Sequence, residues 1–266
     1  MQCVDFVFKE HYNVYDLFEI VRILRSPEGC PWDKVQTHET IRGEFIEEVY
    51  EAVEAIDEKD PVHLREELGD VLLQVVFHCV LEKEKDSFDL DDVADDVCRK
   101  MILRHPHVFG SVTAETAEEV LDNWDKIKMQ SKSQSRISET LDSVSKALPS
   151  LMRSDKLIKR AERAGFKNPD AGESIADIKE RLERLEKGLE NGEEQDLGRE
   201  TGELLFSVVR LSRKLGTDCE KSLYDACDNF TKQFRDLENL AAENGIDIQK
   251  SDPAVLAALW DAVSKK

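Results

Sequence analysis

Between residues 45 and 77 the chain reads FIEEVYEAVEAI and then, a few residues on, LREELGDVLLQVVF. Acids stand three apart in both stretches: Glu48 with Glu51, and Glu67 with Asp70. On an α-helix, residues three apart share a face, so each pair is two carboxylates side by side. Glu67 and Asp70 abut VLLQVVFHCVL, the most apolar run in the chain, where an unpaired ionised group is costly. Four facing acids also repel, so this segment constrains the fold to two helices whose acids converge on something cationic. A hard divalent cation relieves both burial and repulsion, and an all-oxygen donor set favours Mg²⁺ or Mn²⁺ over zinc or copper. A di-iron bundle would need Glu-x-x-His, whereas the third position after Glu48 is Glu51 and after Glu67 is Asp70. The plain alternative, a solvated helix face, holds for any single such pair in so acidic a chain, Glu51 with Glu54 included.

The rest of the chain reads as helix. Only 12 Gly and 7 Pro occur in 266 residues, and 35% of residues are charged, a balance suited to long amphipathic helices. Apolar periodicity and capping signals predict helices at about 14–25, 38–59 and 61–85. Another opens after Asp89 and ends before RHPHVFG, and one from the Thr116/Glu119 capping pattern runs to about 130. SPEGCPWDKVQT and RHPHVFG are expected loops. The Ser-rich residues 131–146 are the expected linker, or else a helix start. Further helices are expected from Pro149 to near Gly165 and at about 171–190, 195–215, 218–243 and 253–265. The expected fold is all-α, with domains at 1–130 and 147–266.

The halves repeat one another. Glu180-x-x-Glu183 is followed after sixteen residues by Glu200-x-x-Glu203, against fifteen residues between the first-half pairs. Gly69 and Gly202 each precede the last acid, and an apolar stretch follows it. A mid-helix Gly costs about 1 kcal/mol relative to Ala, so its recurrence suggests close helix approach or room for a ligand.

A net charge of −20 argues against a nucleic-acid or anionic membrane partner, yet leaves room for a free nucleotide held by metal and a few local cations. The six cysteines form no CxxC pair, and the N-terminus carries charges where a signal peptide needs an apolar run, so a reduced cytoplasmic protein is expected. The run at 71–81 is too short to span a bilayer. His78 is expected in the core or supporting the acids, and His105 and His107 as structural or substrate-loop residues.

CPWDKVQTHETI, the EEVYE and EELGD pair, RHPHVFG and NWDKIK together resemble the MazG family of nucleoside triphosphate pyrophosphohydrolases. The likeness covers nearly the whole chain, since longer members carry two tandem MazG domains. It implies a four-helix-bundle fold assembled as a homodimer, and Mg²⁺-dependent hydrolysis of a nucleoside triphosphate to monophosphate and pyrophosphate. It also implies Glu48, Glu51, Glu67 and Asp70 as metal ligands, with Glu47 completing the EExxE pattern and Glu47 or Glu51 serving as general base. A second, weaker site would comprise Glu180, Glu183, Glu200 and Glu203.

Lys100 and Arg104, one helical turn apart, can face one polyphosphate, and Trp124 and Lys128 repeat that spacing as nucleotide contacts. The second half offers Asn229 and Gln233, then Trp260 and Ser264, in the corresponding places. The N-terminal site is therefore expected to be the competent one, unless Lys179, Lys221, Lys232 or Lys265 stands in for the missing cations. CPWD is expected to anchor its loop by burying the Trp32 indole rather than to stack on a base. The leading expectation is a pool-cleaning enzyme of low base selectivity. The alternatives are a non-catalytic dimeric module with structural Mg²⁺, or a related pyrophosphohydrolase for dCTP or phosphoribosyl-ATP.

Overall fold

A computed structural model of the chain describes residues 6–131, 136–192 and 194–265. These are helical with no strand among the described residues, and the chain divides into two compact units, Met1–Lys128 and Met129–Lys266.

The first unit contains α1 (Val14–Arg25), α2 (Arg42–Glu58), α3 (Pro61–Lys83), α4 (Leu90–Arg104) and α5 (Pro106–Phe109), with α6 (Ala117–Ser131) running across the division. Side chains set the boundaries. Asn13 accepts from the Tyr15 and Asp16 amides, and Asp16 returns a bond to the Asn13 amide. Asp60 caps α3 with Pro61 at its first position, and Asp89 with Asp92 closes a capping box on α4. Lys59, at φ 58°, ends α2 in the left-handed conformation, and the chain turns back at once so that α3 packs along α2. α1 packs on α3, and the core between them holds Val21, Ile41, Val76, Phe77, Val80 and Leu81. Each such side chain contributes about 1.5–3 kcal/mol on burial, which seats α3, the carrier of Glu67 and Asp70, on α1, while α2 buries Ala52 and Ala55.

The second unit contains α7 (Ile137–Asp142), α8 (Ser150–Arg163), α9 (Ala171–Asn191), α10 (Glu194–Lys214), α11 (Cys219–Glu243) and α12 (Pro253–Ser264). α9 and α10 pair as α2 and α3 do, while α8 packs on α10 and α11. Leu237, Ala241, Leu259 and Val263 form a core between α11 and α12. Arg213 of α10 reaches Asp155 at 2.5 Å and Glu162 at 2.6 Å, tying α10 to α8.

Several local expectations change. The helix expected from residue 38 begins at Arg42, because Thr37–Thr40 form their own turn: the Thr37 amide donates to Thr40 Oγ1 at 2.8 Å and Thr40 Oγ1 donates to Gln36 Oε1 at 2.7 Å. RHPHVFG, expected as loop, holds the single turn α5. Of the two readings of residues 131–146, linker or helix start, 137–142 take the second as α7, while 132–135 lie outside the described residues; α7 is tied to α8 through the Arg160 guanidinium, which donates to the Thr140 carbonyl and, at 2.7 Å, to Ser143 Oγ.

Trp32 is not buried: it is 54% exposed. Its loop is held instead by Arg25, itself only 7% exposed, which donates to the Asp33 and Gln36 carbonyls at 2.6 and 3.0 Å while pairing with Glu84 at the far end of α3. A Cβ on Gly69 or Gly202 would meet nothing within 4 Å, so close helix approach is not why glycine stands there.

Candidate metal and nucleotide site

Glu48 projects from the middle of α2, and Glu67 and Asp70 from the first half of α3. One carboxylate oxygen of each lies within 4.8 Å of the other two, and this is the one such donor group found among the described residues. Glu67 is 9% exposed, and Glu48 and Asp70 are half-buried. Burial, and then the charges of Asp70, Glu51 and Glu67, raise the Glu48 carboxyl above the ordinary glutamate range. Burial and the Glu51 charge raise Glu67 in the same way. Glu51 thus acts on both neighbours while standing outside the closest trio, and Glu47 lies exposed beside Glu48.

Repulsion within such a group is what a hard cation removes, and three converging carboxylates are a donor set that fits one. His63, one turn before Glu67, reaches Glu67 at 3.1 Å and Glu58 at 3.2 Å, so it steadies the buried acid. His63 stands four residues before Glu67, a spacing that puts both on one helix face and is the sequence signal for this contact. His78 is placed elsewhere, stacked on His38 with their Nδ1 atoms 2.6 Å apart, and His38 Nε2 meets Glu82 at 2.6 Å.

Of the phosphate candidates, Arg104 and Trp124 come together: the guanidinium sits 5.1 Å from the indole, whose edge is approached by His105. His105 also hydrogen-bonds the Met101 carbonyl at 2.6 Å, a structural role at the end of α4. Lys100 is exposed four residues before Arg104, and Lys128 is half-buried near the end of α6. Among the described residues no ion pair joins Lys100 or Arg104 to the four acids. The CPWD loop lies near the other end of α3, where Arg25 holds both it and Glu84. From Asp70 to Glu84 a helix rises about 21 Å, which separates Trp32 from the acids of its own unit.

The second unit differs in kind. Arg181 meets Glu203 at 3.3 Å and Asp177 at 3.2 Å, Arg184 meets Glu180 at 2.5 Å and Glu200 at 4.0 Å, and Arg199 meets Glu200 at 3.2 Å. Glu183 is exposed on α9. Trp260 packs at 5.1 Å against Phe230, in an apolar cluster, where Trp124 has a guanidinium.

Residues 36–109, which contain the acids and α4, match the family model for the MazG nucleotide pyrophosphohydrolase domain. Over 253 residues the chain is 36% identical to a nucleoside triphosphate pyrophosphohydrolase of Escherichia coli, covering 94% of this chain and 96% of that protein. It is 37% identical over 246 residues to a Thermotoga maritima protein named nucleoside triphosphate pyrophosphohydrolase/pyrophosphatase MazG, covering 92% of this chain and 93% of the other. A Bacillus subtilis protein of uncharacterised function is 38% identical over 252 residues, which make up 51% of its length. With an all-α fold, the acid cluster on its α2–α3 pair and likeness over nearly its whole length, the chain belongs to the MazG family of nucleoside triphosphate pyrophosphohydrolases.

Proposed function

We propose that the chain hydrolyses nucleoside triphosphates to nucleoside monophosphate and pyrophosphate, with Mg²⁺ bound in the N-terminal unit, and so cleans or adjusts the nucleotide pool. The observation that carries this is the convergence of Glu48, Glu67 and Asp70, with Glu51 beside them, in a chain so similar to named pyrophosphohydrolases. Mg²⁺, for which Mn²⁺ can substitute, supplies positive charge against the phosphoryl oxygens and favours deprotonation of an attacking water. Glu48, Glu51, Glu67 and Asp70 hold it, and the strain of their mutual repulsion is relieved as they do. Glu47, exposed and outside the trio, is free to take a proton from water, with Glu51 the other candidate base. Lys100 and Arg104 bind the polyphosphate, while Trp124 and Lys128 complete the nucleotide contacts.

The functional unit is a homodimer. Ile46, Val49, Tyr50 and Val53 form an exposed apolar stripe on α2, and Val93 and Val97 another on α4. Stripes of this kind at helical spacing suit a second copy of the chain. Sedimentation of Val53→Glu tests it: a monomer is expected, and an unchanged mass refutes this face as the interface.

The activity test uses each common NTP and dNTP with Mg²⁺ and identifies the products. Monophosphate and pyrophosphate are expected, abolished by Glu48→Ala and retained by Glu180→Ala. Diphosphate with phosphate, no product, or the reverse ranking of the two variants refutes the assignment.

A further inference from the structure

The second unit repeats the helix pair of the first, and burial fixes how the two align. Ala55 matches Gly188, Gln74 matches Ser207 and Val76 matches Val209, each pair buried in both units and separated by a constant 133 residues. At that offset Glu67 and Asp70 fall on Glu200 and Glu203, as the sequence suggests. Glu48 and Glu51, however, fall on Arg181 and Arg184, not on Glu180 and Glu183. The spacing agrees: fifteen residues separate Arg184 from Glu200, as fifteen separate Glu51 from Glu67, so the one-residue discrepancy between the halves disappears.

The contacts follow the same correspondence. In the first unit Glu48 repels Asp70, and Glu51 repels Glu67. In the second, Arg181 meets Glu203 and Arg184 meets Glu200. Glu200 is as buried as Glu67, and its Oε2, which accepts no hydrogen bond, faces the Arg184 guanidinium at 4.0 Å. Arg181, whose side chain is only 15% exposed, is held between Asp177 and Glu203. The guanidiniums of Arg181, Arg184 and Arg199 offset three of the four charges of Asp177, Glu180, Glu200 and Glu203, and those of Arg181 and Arg199 lie directly on the acids that would bind a divalent ion. The donor set does not fit a metal.

We propose that the second unit is a metal-free copy of the first, in which Arg181 and Arg184 supply from the chain the positive charge that the first unit takes from a divalent cation. The inference rests on Glu48, Glu67 and Asp70 being the metal site of the first unit. It makes the chain a one-site protein by replacement of two ligands, rather than by the loss of phosphate-binding cations.

The test counts Mn²⁺ bound to the full chain without nucleotide, by electron paramagnetic resonance. Glu48→Gln with Asp70→Asn is expected to remove all tight binding, while Glu200→Gln with Glu203→Gln leaves the count unchanged. Arg181→Glu with Arg184→Glu is expected to add Mn²⁺ that is lost again when Glu200→Gln is included. Binding that survives in the first variant and disappears with Glu200→Gln overturns the proposal. So does a charge-reversed variant of unchanged helical circular dichroism that gains no Mn²⁺; should that variant not fold, the two removal variants decide alone. An unaltered chain that binds no Mn²⁺ would refute the metal reading of the first unit, and the charge-reversed variant would still decide this one.

Discussion

Neutralising Glu48 should move stability in opposite directions with and without a divalent cation. In the metal-free protein Glu48 faces Glu67 and Asp70 with oxygens within 4.8 Å. Unit charges at that separation repel by about 0.9 kcal/mol even when screened as in bulk water, and by more where burial lowers the effective dielectric. Glu48→Gln keeps the side chain's shape and removes both repulsions, a gain of at least about 1.7 kcal/mol in the metal-free protein. For a unit of this size that raises the melting temperature by about 6 °C. The assay is calorimetry at pH 8 in EDTA, repeated with Mg²⁺ in excess and at high salt. With Mg²⁺ the order should reverse, because the unaltered chain gains binding energy that the variant has lost. About 1 M salt, where the screening length is about 3 Å, should shrink the EDTA difference. Glu48 and Glu67 also bind protons more tightly folded than unfolded. Their cost to the metal-free protein is therefore absent below the ordinary glutamate range and appears as pH rises through and above it. A variant that melts at or below the unaltered protein in EDTA, or a gain indifferent to salt, refutes the electrostatic account of the site.

Arg25→Ala should release the CPWD loop and destabilise the chain by about 2–3 kcal/mol, since it strips hydrogen bonds from two carbonyls and leaves Glu84 unpaired; urea unfolding checks it, and a loss under about 0.5 kcal/mol, the range of an ordinary surface change, refutes it. Lys85 and then His38 hold the Glu82 carboxyl down at about 2, so its contribution is complete above the ordinary glutamate value and is lost as pH falls toward 2. Glu82→Gln should accordingly flatten the acid limb of the stability–pH curve, and an unchanged limb would count against that ion pair. Arg104→Ala should raise KM for the triphosphate by about 10–100-fold, the worth of a charge-assisted hydrogen bond, with a smaller change in kcat; steady-state kinetics decide, and an unaltered KM removes Arg104 from the phosphate contacts.

Helix ends were legible wherever a side chain sets them. Asn13, Asp60, Asp89, Asp170, Asp218 and Asp252 each precede a helix and each accept from a backbone amide of its first turn. α5, at four residues, is too short for an apolar period to declare itself, and α7, at six, left its Ser-rich stretch readable either as linker or as a helix start. Trp32 was misjudged for another reason: a large indole has hydrophobic area to bury, but the same loop can be fixed by an arginine from a helix that ends before it, and no local pattern announces Arg25 as that partner.

The acids show where spacing stops being informative. Counting Glu-x-x-Glu finds four acids in each half, yet a helix turns about 100° per residue, so an alignment one position out exchanges the inward residue for its neighbour. Glu180 and Glu183 satisfy the pattern, while Arg181 and Arg184, one step further round, are the residues that reach Glu203 and Glu200. The unequal gap between the acid pairs, fifteen residues against sixteen, was the signal in the sequence. It acquires meaning only when Ala55 and Gly188, each buried against the partner helix, fix the rotation of α2 and α9. Identical counts of acids therefore conceal opposite electrostatics, with mutual repulsion among the acids of the first unit and guanidiniums set beside the acids of the second.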